Sequence, residues 1–154
     1  MACVGNPLRG DDGFGPAVAA RLEPVPPGVR LVETGIGGVA LLNELMSGWD
    51  ALIVVDATER GGAPGTVYAL EPQVAEAVHV PDVHLADPDR VLSIAKVLGW
   101  LPARVLLVGC QPAALDLGQG LSPAVSEAVG VAVAEIRGAL EQWQAEATAT
   151  DGGS

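Results

Sequence analysis

Apolar positions along this chain follow two rhythms that take turns. ALIVVDA (51–57) and RVLLVGC (104–110) are continuous apolar runs, the pattern of strands covered on both faces. VRLVE (29–33) alternates and is β-branched, and TVYAL (66–70) follows the turn GGAPG (61–65); both predict strands. MACV (1–4) is a short apolar start that ends at Gly5. Helical spacing fills the intervals. Ala17, Val18 and Leu22 predict a helix over 16–22, with Pro16 at a first-turn position where a missing N–H costs nothing. VALLNELMSG (39–48) predicts a second helix, and DRVLSIAKVLG (89–99) a third behind an Asp87-Pro88 start. Ser122-Pro123 opens the last one, where Val125, Ala128, Val129, Ala132, Val133, Ile136 and Leu140 recur at i, i+3, i+4 and i+7. Residues 71–86 show no clear period.

Strands that alternate with helices predict an α/β fold: a single-domain three-layer arrangement with a mostly parallel twisted central sheet flanked by helices. TVYAL follows its neighbour without an intervening helix, so that strand is the one expected to run antiparallel. The predicted domain covers residues 1–147, and the small polar tail 148–154 is expected to be disordered. In such sheets ligands bind at the carboxyl ends of the strands, near a topological switch point. That directs attention to the loops after Val4, Val55 and Val108.

Composition narrows the function. The chain has 154 residues, enough for one domain, and 49% are apolar, enough for a core. Eight basic against 19 acidic residues give a net charge of −11. Such a surface repels phosphate backbones and anionic lipid heads, so neither nucleic acid nor a membrane is an expected partner. The apolar runs are far shorter than the ~20 residues of a membrane span, and no secretory leader pattern opens the chain, so a cytoplasmic location is expected. Cys3 and Cys110 are not spaced as a Cys-x-x-Cys motif and read as buried structural thiols. No Ser–His or Cys–His pair has motif support, which argues against an acyl-enzyme.

The densest chemistry lies in GNPLRGDDGFGP (5–16). Gly5 and Gly10 have the spacing of a phosphate loop, but Asp11 and Asp12 stand where Lys and Ser/Thr would be needed. Two adjacent carboxylates repel phosphate; they attract a cation or serve as acid or base. Both aspartates suit turn and N-cap chemistry, Asp11 more than Asp12. Asp56 ends a buried strand, where a carboxylate must be solvated, paired or metal-bound, because a lone buried charge is too costly. The two histidines, His79 and His84, lie in the irregular segment, and His84 precedes the Asp87 cap by three residues. Asp12, Asp56 and His84 should converge on one rim of the sheet. Two carboxylates and an imidazole suit zinc, nickel or iron.

GNPLRGDDGFGPAVAARL (5–22) closely resembles the opening signature of the maturation endopeptidases of nickel–iron hydrogenases. The likeness runs on through LIVVDATERGGAPGTVYAL (52–70), HLADPDRVLSIAKVLG (84–99), VLLVGCQP (105–112) and LGQGLSPAV (117–125). It implies a twisted α/β fold and a metal-dependent endopeptidase that removes the C-terminal extension of the nickel-loaded hydrogenase large-subunit precursor. It assigns metal binding and catalysis to Asp12, Asp56 and His84; many relatives carry Glu at the position of Asp12. The metal implied is divalent, nickel supplied by the precursor, with zinc or cadmium able to substitute, and a monomer is expected. The relatives usually have a longer apolar first strand. The alternative reading is a non-catalytic metal-binding module that checks nickel insertion in the precursor.

Overall fold

The computed structural model describes residues 1–74 and 88–152. Its centre is β3 (Ala51–Ala57), buried without interruption from Leu52 to Asp56, as a run with no polar alternation requires. On one side of β3 lie β1 (Ala2–Val4) and then β2 (Val32–Gly35); on the other lie β5 (Arg104–Cys110) and then β4 (Val67–Leu70). The order is β2-β1-β3-β5-β4, parallel throughout except for β4 against β5. The α/β architecture predicted from the sequence, including its one antiparallel strand, is the one observed.

Side chains alternate across each strand, and so the sheet separates two apolar layers. Cys3, Ile53, Val55, Val108 and Cys110 face α1 (Phe14–Leu22) and α4 (Pro123–Asp151), meeting Phe14, Val18, Val125 and Ile136. Ala2, Val4, Leu52, Val54 and Leu107 face α2 (Gly38–Leu45) and α3 (Pro88–Val97), meeting Leu41, Leu45, Val91 and Leu92. Each large aliphatic side chain so buried contributes about 1.5–3 kcal/mol. Close layering sets one glycine requirement: a Cβ on Gly15 would lie 2.1 Å from the Val4 carbonyl oxygen, so α1 can rest directly on β1 only because residue 15 has no side chain.

Boundaries differ from the apolar pattern where polar or backbone bonding decides them. A 3-10 helix (Gly10–Gly13) leads into α1, which starts at Phe14, ahead of Pro16. β2 begins at Val32 rather than residue 29, because Val29 N–H closes a turn on the Pro26 carbonyl and pairing with β1 starts at Ala2 and Val32. The predicted disorder from residue 148 gives way to helix: α4 continues to Asp151. The Thr148 and Thr150 hydroxyls donate back to the carbonyls of Ala145 and Glu146. Apolar spacing marks where a helix is buried, not where it stops. Among the described residues, no helix is long and apolar enough to cross a membrane.

Candidate active site

β1 connects through α1 to β2 on one side, whereas the chain leaving β3 turns to β4 and β5 on the other. β1 and β3 are neighbours, so the two connections diverge and open a crevice between their carboxyl ends. Asp12 lies in the 3-10 helix that follows β1, and that helix packs against β3. Asp56 is the penultimate residue of β3. The fold therefore places Asp56 at the end of β3, and Asp12 in the 3-10 helix that follows the neighbouring strand β1 and packs against β3.

The two neighbouring aspartates have different environments. Asp11 is 1% exposed. Its carboxylate accepts the N–H groups of Ala113 (2.8 Å), Ala114 (3.1 Å) and Ser122 (2.7 Å) and the Ser122 hydroxyl (2.9 Å). Burial by itself would raise its pKa, but the bonds from Ser122, Ala113 and Ala114 outweigh it and hold the carboxyl below its ordinary value. Asp11 is thus committed to structure, as a pin across the fold rather than a local turn residue. Asp12 is half-buried, and its Oδ2 accepts the Asn6 N–H at 2.8 Å. Among the described residues its Oδ1 has no hydrogen-bond donor, which leaves one oxygen for a ligand.

Gly5 holds this loop in place. Its φ is +135°, and a Cβ there would meet the Asp12 carbonyl oxygen at 1.9 Å. The loop folds onto itself at a point only glycine allows.

Asp56 is 8% exposed and is engaged within the protein, so it is not an uncompensated buried charge. It shares a sheet face with Leu52 and Val54 and lies beside Gly109 of β5 in the register. Thr58 folds over Gly109, its hydroxyl 2.9 Å from where a Cβ would sit. The next loop is fastened by Gln111. This residue is also 8% exposed. Its Oε1 accepts the Arg60 N–H at 2.7 Å, while its backbone exchanges bonds with Gly65 and Thr66.

His84 and His79 lie outside the described residues. Among the described residues, no group of three or more His, Cys, Asp or Glu side chains is placed to hold a metal ion. Cys3 and Cys110 are buried free thiols. Burial pushes Cys3 up to about 12 and Cys110 up to about 11, Asp11 adding to the rise at Cys110. Neither is a thiolate at neutral pH, and the expected structural role of both cysteines stands.

A family model described as hydrogenase maturation protease matches residues 16–139. The chain belongs to the hydrogenase maturation protease family. It is 35% identical over 152 residues to the hydrogenase expression/formation protein HupD of Rhodobacter capsulatus, covering 94% of this chain and 72% of that one. It is 31% identical over 150 residues to the hydrogenase 2 maturation protease of Escherichia coli, covering 94% and 91%. The fold superposes on the hydrogenase maturating endopeptidase HybD from Escherichia coli with a TM-score of 0.76 at 29% identity, covering 92% of this chain and 90% of that one. A maturation protease HycI from Thermococcus kodakarensis is similar at a TM-score of 0.66 and 25% identity, over 88% and 86%. As a member of this family the chain is an endopeptidase, and the non-catalytic alternative falls away.

Sequence reasoning missed the structural weight of Asp11 and Gln111. The signal available was weak: both are polar residues flanking apolar segments, and their partners lie up to 111 residues away. No local spacing reports such a bond.

Proposed function

We propose that this endopeptidase removes the C-terminal extension of a hydrogenase large-subunit precursor once nickel is in place, and that Asp12, Asp56 and His84 receive that nickel. The observation that supports the reading is the placement of Asp56 at the end of β3 and of Asp12 in the 3-10 helix packed against β3, with the neighbouring Asp11 fully committed to structural hydrogen bonds. One carboxylate with an oxygen to spare and a second at the strand end make an oxygen-donor pair, and an imidazole added to it suits nickel or zinc. Nickel is part of the substrate here; held by these residues it would polarise the carbonyl to be attacked, or report that its insertion is complete. Asp12 or Asp56 takes a proton from the attacking water. Burial of Cys3 and Cys110, which pushes both thiols up, disfavours a cysteine nucleophile.

The experiment is incubation with nickel-loaded and nickel-free large-subunit precursor, read by intact mass. Loss of a C-terminal peptide from the nickel-loaded form alone is expected. An unchanged mass for the nickel-loaded form overturns the reading, and equal cutting of both forms overturns the nickel requirement.

A further inference from the structure

The loop that carries Asp12 is built around Asn6, a half-buried residue one position ahead of a proline. The Asn6 side-chain Oδ1 accepts the Leu8 N–H at 2.9 Å, and its carbonyl accepts the Arg9 N–H at 3.1 Å. The Arg9 carbonyl accepts the Asp12 N–H at 3.1 Å, and the Asn6 N–H donates to Asp12 Oδ2 at 2.8 Å. Residues 6 to 12 therefore close a ring of bonds, from Asn6 to Arg9, from Arg9 to Asp12, and from Asp12 back to Asn6.

The residue types suit this ring. An asparagine whose side-chain oxygen takes the N–H two residues on makes a turn by itself. Pro7 has no N–H of its own, and its ring disfavours helical backbone at residue 6, which narrows how the chain enters the turn. Upstream, the Gly5 N–H is fastened to the Gly35 carbonyl at 3.0 Å, and Gly5 sits so close to the Asp12 carbonyl that no Cβ fits between them. The Gly5–Asn6 peptide is thus held from both sides, with its N–H turned to Asp12.

The consequence lies at the carboxylate. The last torsion of an aspartate is broad, so the plane of its two oxygens is set by what they bond to. Among the described residues the Asn6 N–H is the one donor on the Asp12 carboxylate. Asp11, next door, has four bonds and no oxygen to spare. A single donor on Oδ2 orients the group and leaves Oδ1 for a ligand.

We infer that Asn6 is a positioning residue: through the turn its side chain makes onto Leu8, it aims its own N–H at Asp12 Oδ2 and so fixes the direction in which Oδ1 is presented. The inference rests on the proposed function for the part Asp12 plays in hydrolysis. Misdirection of a reacting carboxylate costs rate even where the fold is intact.

The test follows the residue-6 amide and precursor cleavage together, in the full chain. In proton–nitrogen NMR spectra the wild-type Asn6 amide proton should lie downfield, as a donor to a carboxylate does, and Asp12→Ala should move it upfield. Asn6→Ala keeps this N–H but removes the acceptor for Leu8. It should move the amide upfield by more than the exchange of residue type accounts for, and lower kcat/KM for nickel-loaded large-subunit precursor about 10-fold. Asn6→Ser, whose hydroxyl accepts the Leu8 N–H more weakly, should fall between wild type and Asn6→Ala in both readouts. If Asn6→Ala does not fold, Asn6→Ser carries the same comparison against wild type. An amide and a kcat/KM that both stay at wild-type values overturn the inference, and so does lost cleavage with an unmoved amide. Loss of cleavage in Asp12→Asn with full activity in Asn6→Ala overturns this inference alone. Normal cleavage by Asp12→Asn overturns the proposed role of Asp12, and this inference with it.

Discussion

The carboxylate of Asp11 accepts both the backbone N–H of Ser122, at 2.7 Å, and its hydroxyl, at 2.9 Å. The same carboxylate takes two more N–H groups from Ala113 and Ala114, so a single side chain ties the loop after β1 to the loop that opens α4. Asp12, one residue on, is held from this anchored backbone.

Asp11→Asn should therefore destabilise the fold by about 3 kcal/mol, since an amide cannot accept all of these bonds and one donor is left facing another. The pH dependence has a definite sign. The native carboxyl is depressed, so its contribution is fully present above the unfolded value near ~3.9 and is lost as pH falls through the lower native value. Denaturant titrations from neutral pH into the acid range should show the wild type losing stability there and Asp11→Asn losing less. Equal stability of the two proteins at neutral pH would remove the pin.

Asp12→Asn and Asp56→Asn should leave melting temperatures within a few degrees of wild type and lower kcat at least ~100-fold, the scale of a lost general base. Asp12→Glu should keep activity, because the carboxylate is retained. Precursor cleavage followed by mass, with circular dichroism as the fold control, checks all three. A well-folded Asp56→Asn protein that cuts normally would exclude that residue from the chemistry.

For the two histidines the expectation is asymmetric: His84→Ala weakens nickel or zinc binding and stops processing, and His79→Ala does neither. An imidazole binds metal only when neutral, so metal affinity should fall as pH drops through ~6.5. Calorimetric titration of both variants at neutral pH and at about one unit below that value separates them. Metal loss in His79→Ala with retention in His84→Ala would move the site.

Thiol chemistry supplies a fourth check. With Cys110 pushed up to about 11 and Cys3 up to about 12, iodoacetamide at neutral pH should leave both unmodified in the folded protein. Cys110→Ala should still cleave precursor. Inactivation by the reagent with stoichiometric labelling of Cys110 would reopen a cysteine mechanism.

The sequence by itself determined the layered α/β plan, because uninterrupted apolar runs such as 51–57 and 104–110 have no stable place except inside a covered sheet. It also singled out Asp12 and Asp56, since a carboxylate pair in a glycine-rich loop and at a strand end needs a compensating partner. The strand order was not legible, because side-chain alternation repeats identically whichever strand lies alongside. Only the tertiary structure put β1 next to β3 and so brought the 3-10 helix carrying Asp12 against the strand that ends with Asp56 and Ala57. The division of labour between Asp11 and Asp12 was equally hidden. Composition and spacing treat adjacent aspartates alike, and what separates them is a set of hydrogen bonds to residues 102 to 111 positions away, which form only when the chain has closed on itself.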